Sequence, residues 1–187
     1  MYIKITRAFT LVELIICIAL IAIMVTIALP YAHGYFSRQE AKAIPAKLFS
    51  INRFARSQAA VLHQNVVICP SQDALTCHPT QWNKSLIVFI DRNKNRQVDQ
   101  GEHILHIDQL NLKYGNLSWR GTLRTPSITY QSNTGLPIGS NGSFYYCSTY
   151  QAAQQRIILS KMGHLRNENL SSYSGNPTLR ALSTSCN

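Results

Sequence analysis

A nearly uninterrupted apolar run over residues 9–30 constrains this chain more than any other feature, and its one charged residue is Glu13. A helix of 22 residues extends about 33 Å, which is enough to cross the hydrocarbon core of a bilayer. Lys4 and Arg7 precede the run. The positive-inside rule therefore places the N-terminus in the cytoplasm and residues 31–187 on the opposite side of the membrane.

The run is longer than the apolar core of a secretory leader, and no small-x-small cleavage pattern follows it. These two features favour a retained anchor over a cleaved leader. Glu13 adds a second constraint, because a carboxylate in hydrocarbon is unfavourable by about 2 kcal/mol or more unless it is paired. We therefore expect Glu13 to have a partner. The alternative is a simple single-span anchor with an unpaired glutamate.

The residues around this glutamate, Arg-Ala-Phe-Thr-Leu-Val-Glu-Leu at positions 7–14, resemble the signal of type IV pilins and pseudopilins. The resemblance implies that prepilin peptidase cuts between Ala8 and Phe9 and that the new N-terminus at Phe9 is methylated. It also implies that Glu13 pairs with the amine of a neighbouring subunit in a filament, which offsets the burial of its charge. The family usually has Gly before the cut, and Ala8 is the small residue here.

Residues 31–187 are numerous enough to form one globular domain with a sizeable core. A helical pattern covers residues 31–63, and Pro30 and Pro45 are expected to kink or locally break it. Its predicted inner face recurs at three- and four-residue steps and is apolar with one interruption: Ala41, Ile44, Leu48, Ile51, Ala55, Gln58 and Leu62.

Residues 65–160 contain short β-type runs separated by Gly, Pro, Asn and Ser, without an intervening helical period. We expect strands near residues 66–68, 86–90, 104–107, 117–119, 127–130, 144–147 and 156–160. Such an order favours an antiparallel sheet packed on the long helix, that is, an α+β fold. Residues 161–187 are polar and rich in turn formers, and we expect a polar C-terminal loop there.

Four of the five cysteines follow the anchor, namely Cys69, Cys77, Cys147 and Cys186, and Cys17 lies within it. An even number of cysteines in an oxidising compartment predicts disulfides, with three possible pairings. We favour Cys69–Cys77 and Cys147–Cys186. A zinc site is the alternative, but the cysteines lack close Cys-x-x-Cys spacing.

The charge of the chain is +10, from 18 Lys and Arg against 8 Asp and Glu. Removing Lys4, Arg7 and Glu13 leaves 16 against 7 for residues 31–187, a balance of +9. A basic exported domain favours polyanions such as nucleic acid, acidic lipid or acidic polysaccharide. The alternative is that the charge only supports solubility.

Five oxygen-bearing residues follow the strongest predicted strand at positions 1, 3, 5, 9 and 12 of a calcium-loop pattern: Asp91, Asn93, Asn95, Asp99 and Glu102. Arg96 occupies the place of the usual turn glycine, and Arg92 and Lys94 add positive charge. Because Asn and Asp are also common turn formers, a structured connection between strands is favoured over calcium binding.

The same region resembles the GspH/FimT-type pseudopilins and minor pilins. The resemblance rests on the order of several short motifs: Cys69-Pro70-Ser71, Cys77, Trp82, Val88-Phe89-Ile90-Asp91, the Asn/Asp series that ends at Glu102, and Arg156-Ile157-Ile158-Leu159-Ser160 followed by Gly163. It implies a minor subunit of a type IV pilus or type II secretion pseudopilus. Such a subunit is held by a single span in the inner membrane, with a periplasmic domain that is exposed in the filament.

DNA-uptake members of this family carry a C-terminal Gly-Arg-x-Arg element, which corresponds here to Gly163-His164-Leu165-Arg166. The first Arg is replaced by His164, which is mostly neutral near pH 7. Candidate DNA-binding residues are Arg156, Lys161, His164, Arg166 and Arg180. They would contact phosphates without reading bases. The alternative is an ordinary solvated loop.

No nucleotide-binding, nucleophile-elbow or zinc-protease motif occurs, and carboxylates are few. We therefore predict neither an enzyme nor a cofactor. The expected function is that of a filament subunit whose partners are other pilins, the prepilin peptidase and the inner membrane, and the alternative is a DNA-binding minor pilin that acts in DNA uptake.

Overall fold

The computed structural model describes residues 10–137, 139–149 and 154–169. The chain divides into two units, Met1–Phe36 and Ser37–Asn187, which are described separately here. Helix α1 (Leu11–Leu62) contributes residues to both. It begins directly after Thr10, whose side-chain oxygen accepts a hydrogen bond from the backbone N–H of Glu13 at 3.3 Å. This contact is the N-terminal cap that Ser and Thr commonly provide.

In the first unit, the large apolar side chains of residues 11–25 are 46–73% exposed. Among the described residues no single helix is by itself long and apolar enough to cross a membrane. Two parts of α1, Leu11–Thr26 and Tyr31–Leu62, have the length and apolar composition for a membrane span only when they are taken together. The predicted leader, with the cleavage residues Ala8 and Phe9, lies outside the described residues.

In the second unit, α1 buries one side. The inner face consists of Ala41, Ile44, Leu48, Ile51, Ala55 and Ala59. It matches the predicted face as far as Ala55 and then departs from it, because Ala59 rather than Gln58 is buried and Leu62 is 39% exposed. The helix also continues through Pro45, where a break was expected. Burial of Ile44 and Leu48 on either side favours helix despite the missing hydrogen-bond donor.

The strands form two four-stranded sheets in which every described pairing is antiparallel. Sheet 1 has the order β3-β2-β1-β5 and consists of β1 (Val66–Ser71), β2 (Ser85–Ile90), β3 (Ile104–Gln109) and β5 (Ile128–Tyr130). Sheet 2 has the order β4-β6-β7-β8 and consists of β4 (Gly115–Gly121), β6 (Gly142–Ser148), β7 (Gln155–Leu159) and β8 (Leu165–Asn169).

All seven predicted strands occur at the expected places. Strand β8 was not predicted, and the polar loop expected over residues 161–187 is wrong for its first part. The sequence of β8 has one apolar residue, Leu165, so that it lacks the alternation that signals a strand. Backbone pairing with β7 defines it, with Ile158 opposite Arg166 and Arg156 opposite Glu168.

One apolar core joins the inner face of α1 to both sheets. Sheet 1 contributes Val66, Ile68, Leu86, Val88, Ile128 and Tyr130, and sheet 2 contributes Leu117, Phe144, Tyr146, Ile157 and Leu159. A second, smaller cluster lies on the opposite side of sheet 1 and contains Val67, Cys69, Ile87 and Phe89. Strands β1 and β2 are therefore buried on both faces.

Three buried or half-buried polar residues of α1 fix the helix against sheet 2 and its loops, namely Ser37, Glu40 and Asn52. Ser37 shares a hydrogen bond with Ser148 at 2.7 Å, and Asn52 donates to the backbone oxygen of Gly163 at 3.1 Å. Asn52 also accepts a hydrogen bond from Tyr130. Because the partners lie far apart along the strands, these contacts define the rotation of α1 and its position along its own axis.

Glu40 makes more hydrogen bonds than either Ser37 or Asn52. Its two carboxylate oxygens accept hydrogen bonds from the backbone N–H groups of Lys113 at 2.7 Å and Tyr114 at 3.1 Å, and from the phenol of Tyr146 at 2.8 Å. Burial, together with this carboxylate, raises the pKa of Tyr146. Gly115 leaves room for the phenol ring, since a Cβ there would lie 2.4 Å from ring atoms.

We predict that Glu40→Ala lowers the free energy of unfolding by about 2–3 kcal/mol, because it leaves two backbone N–H groups and a phenol without their acceptor. Glu40→Gln should cost less, since one oxygen acceptor remains. Lys42→Ala, on the exposed side of the same helix, is the matched control and should change stability little. Urea unfolding of the full chain in a neutral detergent measures all three, and equal stability of Glu40→Ala and Lys42→Ala would contradict the assignment.

Candidate assembly and polyanion-binding sites

Glu13 is an exposed carboxylate in the first turn of α1, surrounded by exposed apolar side chains. The partial positive charge of a helix N-terminus favours an acid at this position. The hydrogen bond from its own N–H to Thr10 completes half of a capping box. The sequence signal for this contact is the Thr-x-x-Glu pattern of residues 10–13. The carboxylate itself is available to a partner outside this helix.

The candidate DNA-binding residues fall largely on one hairpin, formed by β7 and β8. Arg156 lies on β7 and Arg166 on β8, while Lys161 and His164 are exposed in the turn between them. Gly163 adopts a φ of +76° in this turn, a conformation that favours glycine. Arg180 lies outside the described residues. The hairpin therefore brings together four of the five residues that the sequence analysis selected.

Glu168 reduces the positive charge of this hairpin. Its carboxylate lies 2.5 Å from the guanidinium of Arg166 and 3.7 Å from that of Arg156. The cross-strand register explains the second contact, because Arg156 and Glu168 are directly opposite each other. Arg166 remains 72% exposed despite the pairing. The position of Glu168 opposite Arg156 could not be predicted from the sequence, since the strand that carries it has no apolar alternation.

Two further residues extend the basic surface across sheet 2. The guanidinium groups of Arg120 on β4 and Arg156 on β7 lie 5.4 and 5.8 Å from the ring centre of Tyr145 on β6. At such distances a cation is attracted to the aromatic ring. Ser143 accepts a hydrogen bond from Arg156 at 3.3 Å. Only the strand register could reveal that these distant residues share one face.

The residues of the calcium-loop pattern use their oxygens within the loop itself. Asp91 is buried and accepts hydrogen bonds from the backbone N–H groups of Asn95 and Arg96, both at 3.1 Å. Asp99 accepts from the side chains of Asn93 and Asn95 at 2.7 and 2.6 Å. Among the described residues no three His, Cys, Asp or Glu side chains are grouped as metal ligands.

Glu102 completes this network by accepting hydrogen bonds from the backbone of Arg92 at 2.8 Å and of Asp99 at 3.2 Å. Val98, from the same loop, packs on the outer cluster of sheet 1. These contacts favour the interpretation of residues 91–103 as a structured connection that covers the outer side of sheet 1.

The loop between β1 and β2 covers the same side of the sheet. A disulfide joins Cys69 to Cys77, the pairing that the sequence favoured, and Cys77 packs on the outer cluster. Asp73 accepts hydrogen bonds from the backbone N–H groups of Thr76 and Leu75, which lower its pKa. Cys147 is also disulfide-bonded, and its predicted partner Cys186 lies outside the described residues.

Two sequence patterns match known families. Residues 47–163 match the family of the type II transport protein GspH, and residues 3–29 match the prokaryotic N-terminal methylation motif. No curated protein sequence matches the chain.

The chain is similar to two solved structures. The type IV minor pilin FimU of Pseudomonas aeruginosa is 16% identical and has a TM-score of 0.54, with 76% of this chain and 97% of that chain covered. The minor pseudopilin EpsH of the Vibrio cholerae type 2 secretion system is 14% identical and has a TM-score of 0.48, with 70% and 97% covered. At this identity the likeness to FimU shows a shared fold and nothing further.

We predict that neither calcium nor a chelator changes the melting temperature of the full chain. Asp91→Ala, in contrast, should lower the free energy of unfolding by about 1–3 kcal/mol, because two backbone N–H groups lose their buried acceptor. Thermal unfolding with and without calcium measures both effects. A large stabilisation by calcium that Asp91→Ala abolishes would instead establish a metal site.

Proposed function

This chain belongs to the family of the type II transport protein GspH, and we propose that it is a minor pilin or pseudopilin, a structural subunit of a type IV pilus or a type II secretion pseudopilus. The observation that carries the proposal is the order of two features along one helix. A methylation motif over residues 3–29 contains the exposed apolar side chains of residues 11–25, and the family match begins at residue 47, within the same helix.

The proposal includes a defined path through the cell. Prepilin peptidase removes residues 1–8 by cutting between Ala8 and Phe9, and the new N-terminus at Phe9 is methylated. Before assembly, residues 9–30 hold the subunit in the inner membrane by a single span, with the second unit in the periplasm. Net positive charge before the apolar run supports this orientation.

In the filament, other subunits would replace the lipid around the apolar stretch. Glu13 would then lie in a medium of low polarity, where an unpaired carboxylate is strongly disfavoured. The amine at Phe9 of a neighbouring subunit supplies the opposite charge, and the pairing selects one axial offset between adjacent helices. Exposure of Glu13 in the isolated chain supports this proposal, because nothing in the described residues already neutralises the carboxylate.

We predict that Glu13→Leu leaves membrane insertion intact but lowers incorporation into sheared filaments by about tenfold or more, because the neighbouring amine loses its buried partner. Thr26→Val removes an exposed polar group from the same helix and is the matched control. Immunoblots of filament and membrane fractions measure the distribution. Mass spectrometry of the assembled subunit should show that residues 1–8 are absent and that Phe9 is methylated.

Two results would contradict this proposal. One is an assembled subunit that retains residues 1–8. The other is incorporation of the Glu13→Leu chain at the level of the unaltered protein.

A second candidate function is DNA capture during uptake, and the clustering of Arg156, Lys161, His164 and Arg166 on one hairpin supports it. Arg120 and Tyr145 extend the basic surface and add an aromatic ring on which a base could stack. Glu168 opposes binding because its carboxylate already neutralises part of the charge of two arginines. Binding through phosphate contacts should therefore be weak and should decrease steeply with salt.

We predict that Glu168→Gln raises the affinity for duplex DNA by about threefold or more at low salt, since it frees two guanidinium groups for phosphates. Arg166→Ala should lower the affinity. Asp108→Asn is the charge-matched control, because it removes a carboxylate paired with Lys47 instead. Fluorescence anisotropy with the full chain in a neutral detergent measures the affinities. Equal affinities of the Glu168→Gln and Asp108→Asn chains would exclude this hairpin as the DNA site.

A further inference from the structure

Two exposed turns at one end of sheet 2 combine large apolar side chains with positive charge. Leu123, in the turn after β4, is 83% exposed, and Met162, in the turn between β7 and β8, is 60% exposed. Arg124 and Lys161 are their exposed neighbours in the chain. We refer to these four residues as the turn patch.

The strand register places both turns at the same end of the sheet. Gly121, the last residue of β4, pairs with Gly142 of β6, and Gly142 pairs with Leu159 at the end of β7. The carbonyl of Gly163, next to Met162, accepts a hydrogen bond from Asn52 of α1, whereas the opposite end of β6 contacts Ser37. Within the second unit, the turn patch therefore lies at the end of sheet 2 away from Ser37.

The turn that carries Leu123 is held in an unfavourable backbone conformation. Leu123 and Arg124 have φ values of 61° and 56°, in the left-handed region that non-glycine residues rarely occupy. Neighbouring contacts maintain it, because Trp119 donates to the backbone oxygen of Thr125 at 3.0 Å and Thr122 donates to that of Asn141 at 2.7 Å. Such strain is typical of sites where a side chain is presented for a function.

The charge around the patch lacks a counterpart in the described residues. Neither Arg124 nor Lys161 occurs among the ion pairs of this part of the chain, and Glu168 is already engaged by Arg156 and Arg166. A second copy of this basic chain would offer few carboxylates. The complementary partner is therefore anionic and, because Leu123 and Met162 project into solvent, it also offers an apolar environment.

We propose that the turn patch docks on an anionic bilayer surface. Arg124 and Lys161 would contact lipid phosphates while Leu123 and Met162 enter the boundary between headgroups and acyl chains. Leu123 and Met162 lie on two separate turns, so that each can enter a fluid lipid surface independently, whereas a single protein groove would have to match both positions. Duplex DNA would use the cations but would gain little from the two apolar tips.

The test uses the full chain inserted in nanodiscs of zwitterionic lipid, mixed with vesicles that contain phosphatidylglycerol and then separated by flotation. The nanodiscs should float with these vesicles and not with purely zwitterionic ones. The double variant Leu123→Ser/Met162→Ser should reduce flotation about tenfold, since the apolar contribution is lost. The variant Arg124→Ser/Lys161→Ser should reduce it to a similar extent and should weaken its dependence on salt.

Two controls keep the result specific. Leu75→Ser removes another exposed leucine, 64% exposed in the loop between β1 and β2, and should leave flotation unchanged. Lys42→Ala removes an exposed positive charge of α1, outside the turn patch, and should also leave it unchanged. Absence of flotation would overturn the proposal. So would undiminished flotation of the Leu123→Ser/Met162→Ser chain, because attraction would then be purely electrostatic and would fit any polyanion.

Discussion

Burial of one side of α1 is the constraint on which the rest of the structure depends. Residues from Ala41 to Ala59 join both sheets in a single core, so that neither sheet has a complete apolar partner without the helix. The small residues Ala41, Ala55 and Ala59 are fully buried there and allow close approach. The large apolar side chains of residues 11–25 remain exposed because the globular unit uses only the later part of the helix.

Polar contacts turn this apolar packing into one defined arrangement. An apolar face alone tolerates sliding and rotation of a helix. The hydrogen bonds of Ser37, Glu40 and Asn52, in contrast, form only at one rotation and one axial position of the helix. Glu40 is the most constraining of these, since it ties the connection between β3 and β4 to the helix and the core.

The two sheets have different exposed surfaces. The outer side of sheet 1 is covered by its own loops, through the disulfide Cys69–Cys77 and the hydrogen-bonded turns around Asp91. On sheet 2, Arg120 and Arg156 lie against Tyr145, Arg156 and Arg166 pair with Glu168, and the turn patch lies at one end. Sheet 2 therefore presents the exposed surface that suits an anionic partner, and the calcium-like pattern on sheet 1 is better explained by loop structure.

The sequence by itself determined the α+β class, the seven stronger strands and the apolar character of residues 9–30, because periodicity, length and apolar character are local properties. It could not determine strand β8, whose single apolar residue carries no alternation and whose pairing depends on β7. Nor could it determine that Glu168 neutralises two candidate DNA-binding arginines, or that Leu123 and Met162 share one end of a sheet. Those relations join residues far apart in the chain, and only the register of the folded strands brings them together.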